Sequence, residues 1–292
     1  MFLSVLKSHI SRLRTIEERS IRIQEALGRI ESRQLQGTAV AGLHAAEFRV
    51  FSQWGEDGIL QHLLRQIPIA RKVFVEFGVE NYTEANTRFL LVNDNWSGLV
   101  IDGSSENIAH IKSDNIYWRY NLKAEQEFIT RETINDIIRR NGITGEIGIL
   151  SIDIDGNDYW VWEAIDVISP VVTVVEYNSR FGADCAVTVP YKADFVRSRE
   201  HYSNIYYGAS LAALCLLGTR KGYCFVGCNS AGNNAFFVRR DMKPDLMPEL
   251  TPAQGFIPAK FREARAQDNS LSFLTKAEET ALLKDLPLVE IS

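Results

Sequence analysis

The stretch ILSIDIDGNDYW, residues 149 to 160, ends an apolar run with three carboxylates, Asp153, Asp155 and Asp158. Their spacing of two and three admits three chemistries. Asp153 or Asp155 can orient a substrate or take a proton from it. The cluster can supply oxygen ligands to a divalent cation, with Glu176 or His201 completing the set. Asp155 or Asp158 can cap a helix that begins near Tyr159. These roles overlap, because one aspartate can cap while another reacts. The choice depends on the elements that hold them.

From residue 73 the pattern alternates between short apolar, β-branched runs and amphipathic runs. VFVEFGV, SGLVIDGS, IYWRYN, IGILSIDIDG and VVTVVEYN read as strands. TEANTRFLLVND, ENIAHIKSD, EQEFITRETINDIIRRNG, NDYWVWEAIDVI and GASLAALCLLGTRKG read as helices. The long fourth-strand approach helix closes at Asn141-Gly142, and Ser210 stands near an N-cap. YCFVGCNS and NAFFVRRD form a terminal antiparallel hairpin. Alternation of this kind predicts an α/β, doubly wound sheet, whose ligands bind beyond the carboxyl ends of the strands.

Acids crowd those ends. Glu76, Gly78 and Glu80 follow the first strand; Asp102, Gly103 and Ser104 follow the second; Glu176, Tyr177 and Asn178 follow the fifth. Unpaired buried carboxylates are costly, so the crowding points to a ligand. Asp102, about 25 residues beyond a strand-glycine turn, suits a ribose diol. The turn EFGVENYTEAN has one glycine and no phosphate cradle, and Glu80 would repel pyrophosphate. A cationic sulfonium cofactor with an amino-acid tail tolerates these acids better.

In SQWGEDGIL, FVEFGVENYTEANT, GLVIDGS, ILSIDIDGNDYWVWEAI, VVEYNS and NAFFVRRD, over roughly residues 51 to 240, the chain resembles the class I S-adenosylmethionine-dependent methyltransferases. Within them it looks most like the FkbM-type branch. The resemblance implies a Rossmann-like seven-stranded sheet in the order 3-2-1-4-5-7-6, with cofactor contacts at Glu76, Gly78 and Asp102. Gly103, Ser104 and Gln53 are further cofactor candidates. It implies an O-methyltransferase acting on a saccharide or glycan-derived hydroxyl, with Asp153 or Asp155 as catalytic residues; His201, whose unperturbed pKa lies near the working range, is a further candidate base. Magnesium is compatible with it, with Asp153, Asp155 and Glu176 as the ligand set. The turn after Gly78 departs from the family's E/D-x-G-x-G-x-G pattern. A noncatalytic methyltransferase-like module in a glycan-assembly complex is the alternative.

Residues 179 to 207 show no clear period and carry Arg180, Lys192, Arg197, Arg199 and His201; they read as an acceptor lid or a decorative insertion. In FSQWGEDGILQHLL, Gln53 and Glu56 either reach the cofactor or sit in a first helical turn capped by Ser52. Residues 1 to 36 differ from the body. Leu6, Leu13 and Leu27 share one seven-residue repeat with Ser20; Ile16, Ile23 and Ile30 share a second with His9, three residues on, and Gln34 also falls in the seam. This is a coiled-coil arm for self-association, or an amphipathic helix packed on its own body. Its seven basic and four acidic side chains also admit a membrane-surface role. QLQGTAVAG reads as a linker. The expected units are thus 1–36, 37–240 and a C-terminal extension, 241–292.

Composition excludes several classes. A net charge of −5 gives no general attraction to nucleic acid. No apolar run reaches the ~20 residues of a membrane span, and the first residues lack the form of a signal peptide. Cys224 and Cys228, spaced C-x3-C without nearby histidines, do not suggest zinc, and the four cysteines show no disulfide framework. A reducing cytoplasm is the expected setting.

Overall fold

The computed structural model describes residues 2–37 and 42–292. The middle of the QLQGTAVAG linker lies outside them. In chain order the elements are α1 (Phe2–Gln34), α2 (Glu56–Gln66), β1 (Val73–Phe77), α3 (Arg88–Asp94), β2 (Ser97–Asp102), α4 (Ser105–Ser113), α5 (Asn115–Arg119) and β3 (Leu122–Gln126). Then follow α6 (Ile134–Arg140), β4 (Gly145–Ile152), α7 (Asp158–Ala164), β5 (Ile168–Glu176), β6 (Val187–Thr188), α8 (Arg197–Glu200), α9 (Leu211–Arg220), β7 (Tyr223–Cys228) and β8 (Asn234–Arg239). α10 (Pro252–Gly255), α11 (Lys276–Lys284) and β9 (Val289–Glu290) complete the chain.

Seven strands form one sheet in the order β3-β2-β1-β4-β5-β8-β7. β3, β2, β1, β4 and β5 are parallel, and β8 runs antiparallel to both β5 and β7. Numbered within the sheet alone, this is 3-2-1-4-5-7-6, the doubly wound order of the methyltransferase sheet. Successive residues of a strand face opposite sides. Val75 and Phe77 therefore join the core under α6, α7 and α9, while Phe74 joins the core under α2, α3, α4 and α5. β5 is buried nearly throughout because helices cover both faces.

One strand lies elsewhere than the pattern suggests. IYWRYN holds the short helix α5, started by Asp114, whose side chain accepts from the Ile116 N–H at 3.0 Å. The third strand, LKAEQ, starts just after IYWRYN and takes the first two residues, Glu125 and Gln126, of the expected long helix, of which only Ile134–Arg140 is helical. Lys, Ala, Glu and Gln favour helix locally. Pairing with Gly98 to Asp102 of β2, and burial of Leu122 and Ala124, override that preference.

Ser52 is not the cap of α2, whose N-cap is Gly55. Ser52 instead belongs to a knot around Asp57, whose Oδ2 accepts the N–H groups of Val50, Phe51 and Ser52 at 2.7–2.8 Å. Burial pushes the Asp57 carboxyl up to about 6 against those hydrogen bonds. Glu56 is equally occupied. It accepts from Trp54 and Gly55 N–H, and from the side-chain amides of Asn229 and Asn234 at 2.6 and 2.9 Å. It therefore ties the approach to α2 to the β7–β8 hairpin.

The segment 179–207 and the C-terminal extension fold together over the sheet edge. Phe181, Val189, Phe195, Ile205, Tyr206 and Tyr207 share a small core with Ala264 and Leu283. β6 pairs with β9, Val187 opposite Glu290 and Thr188 opposite Val289. The extension thus packs on this chain's own lid. No helix among the described residues is long and apolar enough to cross a membrane.

Candidate functional site

Beyond the carboxyl ends of β1, β2, β4 and β5 lies a cavity of about 410 Å³. Its wall carries nine carboxylates and one cationic side chain, Arg197. Gln53, Glu76, Gly78, Asp102, Gly103, Asp153, Asp155 and Glu176 all line it.

Glu76 closes β1. Its carboxylate accepts from Asn86 N–H (2.8 Å), Thr87 N–H (3.1 Å) and the Thr87 hydroxyl (2.5 Å), fastening β1 to the start of α3. Burial pushes it up to about 7, despite those hydrogen bonds. The turn that follows is left-handed at Gly78 (φ 66), Glu80 (φ 47) and Tyr82 (φ 62). A side chain at Gly78 would place its Cβ 1.6 Å from the carbonyl oxygen of Asp153. Glycine is required there because the ends of β1 and β4 approach so closely.

Asp102 ends β2. Both the Ser104 N–H (2.8 Å) and the Asn107 side-chain amide (3.0 Å) use its Oδ1, leaving Oδ2 for a ligand. Ser104 itself caps α4 and is not among the lining residues. Its part is to orient Asp102. Beyond β3, Glu127 and Phe128 complete this end of the wall, with the Phe128 ring half exposed.

The triple aspartate divides its labour. Asp158 accepts from Ile154 N–H (2.8 Å) and Gly156 N–H (2.9 Å), holding the β4–α7 turn, and burial pushes it up to about 6. The role is structural but is not a helix cap: α7 starts at Asp158 itself, and its N-cap is Asn157, which makes no side-chain cap hydrogen bond. Asp155 takes the left-handed conformation (φ 55). Gly156 makes room for the segment above it, since a Cβ at 156 would sit 2.2 Å from the Phe195 ring. Asp153 is desolvated and faces Asp155 and Asp158, so its carboxyl lies well above the usual range. Glu176 is raised in the same way, by burial and then by Asp153. One carboxylate oxygen each from Asp153, Asp155 and Glu176 lie within 4.8 Å of one another.

Several wall residues escape sequence reading. Arg197 of α8 pairs with Asp155 (2.5 Å) and Glu263 (2.8 Å), and its guanidinium lies 3.7 Å from the centre of the Tyr207 ring. Glu263 comes from the C-terminal extension. Asn234 faces Glu176 across the β5–β8 ladder, so both side chains share one face. Its amide nitrogen is held by Glu56, while Asn234 Oδ1 and Glu176 Oε2 are buried and have no hydrogen-bond partner among the described residues. The register of the hairpin would have exposed Asn234 as a candidate; nothing local marks Glu263. His201 is not brought to the cavity wall. Its Nδ1 meets the Ser203 hydroxyl at 2.6 Å, its ring packs at a tilt of 39° against Tyr202, and burial lowers its pKa.

No family model and no curated protein matches this chain. Solved structures match it at low similarity. The N-terminal domain of EvdMO1 with SAH bound is 11% identical, with 73% of this chain and 94% of that chain covered and a TM-score of 0.41. An S-adenosylmethionine-dependent methyltransferase from Clostridium acetobutylicum is 9% identical over 63% and 89%, with a TM-score of 0.39. A SAM-dependent methyltransferase from Aquifex aeolicus is 9% identical over 62% and 89%, with a TM-score of 0.34. The strand order, rather than these alignments, assigns the fold.

Proposed function

We propose that this chain is an S-adenosylmethionine-dependent O-methyltransferase, acting on a hydroxyl of a saccharide or glycan. The observation that carries the reading is the acidity of the cavity wall: nine carboxyl side chains, of which Glu76, Asp153 and Glu176 have raised proton affinity, against one lining guanidinium. Such a wall repels a pyrophosphate cofactor and favours a cation. The proposed cofactor is a sulfonium with an amino-acid tail, and when bound it supplies an electrophilic methyl group.

The residues present suit that cofactor. Asp102 Oδ2 offers an acceptor for ribose hydroxyls, and Phe128 offers an apolar face beside it. Gly78 keeps the β1 turn free of side-chain bulk. At the other end, Asp153 and Glu176 have raised proton affinity through burial, which suits one of them to take a hydroxyl proton. Asp155, Asn157, Asn234 and Glu263 supply hydrogen-bonding groups around that point, as a polyhydroxyl acceptor requires. Holding the acceptor in place is the larger contribution to rate. The likeness to the FkbM-type branch, read from the order of the motifs, favours the saccharide acceptor.

A second reading of the acidic corner is a divalent cation such as magnesium. The 4.8 Å grouping of Asp153, Asp155 and Glu176 and the unpartnered oxygens of Glu176 and Asn234 favour it. Arg197 competes with it, because that guanidinium already holds Asp155.

Calorimetric titration with S-adenosylmethionine tests the cofactor, and absence of binding at millimolar concentration sinks the proposal. Methyl transfer to a panel of sugar acceptors tests the substrate class. Asp153→Asn is expected to abolish turnover in a folded protein. Activity that survives exhaustive EDTA treatment would remove the metal reading and leave the carboxylate base.

A further inference from the structure

α1 carries a stripe of large aliphatic side chains that its own body leaves uncovered. Leu13, Ile16, Ile23, Leu27 and Ile30 are each between 50% and 64% exposed. With Ser20 at the position between Ile16 and Ile23, they recur at the alternating three- and four-residue spacing of a coiled-coil seam. The face turned to the body is a different one. Ile21 packs on the cluster of Val50, Phe51 and Phe89. The Gln24 amide donates to the Val50 carbonyl oxygen, and the Ser32 hydroxyl donates to Gln61 at 2.9 Å. A Cβ added at the buried Gly28 would strike the Val50 side chain at 2.3 Å. The body therefore grips the C-terminal part of a 33-residue helix, ~50 Å long, by a face that excludes the seam.

We propose that α1 binds further copies of this chain as a parallel coiled coil. Charge complementarity selects the occupant and its direction. Leu13 and Leu27 take heptad position a, and Ile16, Ile23 and Ile30 take d. The g positions beside the seam then carry Arg12, Arg19 and Arg33, and the e positions carry Glu17 and Glu31. In a parallel pair a g residue meets the e residue of the next heptad of its neighbour, so Arg12 of each helix meets Glu17 of the other. In an antiparallel pair g meets g and e meets e, which sets arginine against arginine and glutamate against glutamate. Charges on the outer face are closed within the helix, by Glu18 with Arg22 and Glu25 with Arg29, both at 3.8 Å. Leucine at a with isoleucine at d favours three or four strands over two. Parallel strands gripped near their C-terminal ends gather all the globular bodies at one end of the bundle.

Light scattering on the full chain at tens of micromolar tests this, with a trimer or tetramer expected. Ile16→Asp together with Ile23→Asp is expected to give a monomer whose body melts as before, since both side chains are already exposed. Arg12→Glu reads the direction. It sets glutamate against Glu17 in a parallel bundle and weakens association several-fold, and adding Glu17→Arg to the same chain restores it. A monomeric parent chain overturns the proposal. So does an Arg12→Glu variant that assembles as tightly as the parent or more tightly, the result an antiparallel bundle gives.

Discussion

Arg197 and Asp155 form an ion pair of 2.5 Å in the cavity wall, joining the lid helix α8 to the turn after β4. The same guanidinium reaches Glu263 at 2.8 Å, so one cation links the parallel sheet, the lid and the C-terminal extension.

Replacing Arg197 by alanine is expected to loosen that junction. Asp155 is 56% exposed and largely screened by water, whereas Glu263 is 21% exposed and is not. A loss of about 1–3 kcal/mol is expected from leaving Glu263 and Glu176 with less compensation. Urea unfolding measures the loss, and limited proteolysis within residues 183–207 reports the lid. Arg197→Lys should recover only part of it, because an ammonium lacks the planar fork that serves two carboxylates. Parent-like stability and protease resistance in the alanine variant would show that the junction is held by packing alone.

Asp102→Ala is expected to weaken cofactor binding by about 1.5–3 kcal/mol, the range for hydrogen bonds to a charged group. Calorimetry on the folded variant measures it. Unchanged affinity would remove Asp102 from the cofactor site.

Gly78→Ala tests the close approach of β1 and β4. The added methyl meets a backbone oxygen, which has no flexible end to move aside, and the residue has positive φ. Destabilisation of at least ~2 kcal/mol is expected, read as a lower midpoint in thermal denaturation. A variant as stable as the parent would mean that the two strand ends separate at little cost.

Glu76 carries a pH signature. Its folded value of about 7 lies above the ordinary 4.5, so between these values the folded state holds a proton that the unfolded state has released. Its contribution to stability is full below about 4.5 and is lost as the pH rises through about 7. Glu76→Gln should therefore make the slope of stability against pH less negative, by up to about one proton in that window. Identical slopes in parent and variant would mean that Glu76 is ionised throughout.

The sheet was legible in the chain because its signal is local. β1, β2, β4 and β5 are apolar runs ending in an acid, and a carboxylate at a strand end needs only its own strand to be located. β3 was not legible, since Leu122–Gln126 becomes a strand only by pairing with β2. The cavity wall divides along the same line. Glu76, Asp102 and Asp153 follow from strand ends, whereas Arg197 meets Asp155 across 42 residues of chain, and no periodicity encodes that meeting. Glu263 lies in a stretch whose prolines and polar residues give no period. Glu56 was visible, but its meaning was not, because the buried hydrogen bonds that occupy it include ones from residues as distant as Asn229 and Asn234.

The pairing of β6 with β9 has a consequence for the order in which the molecule is made. The sheet and the floor of the cavity need only residues 73 to 239, which emerge from synthesis as one run. The lid strand at Val187 must wait about a hundred residues for Glu290, several seconds or more at ordinary elongation rates. Throughout that interval the acidic edge is assembled and uncovered, and Arg197 lacks its second carboxylate, Glu263. The nascent chain therefore presents a broad acidic crevice before it presents one narrowed by Phe195, Arg197 and Glu263.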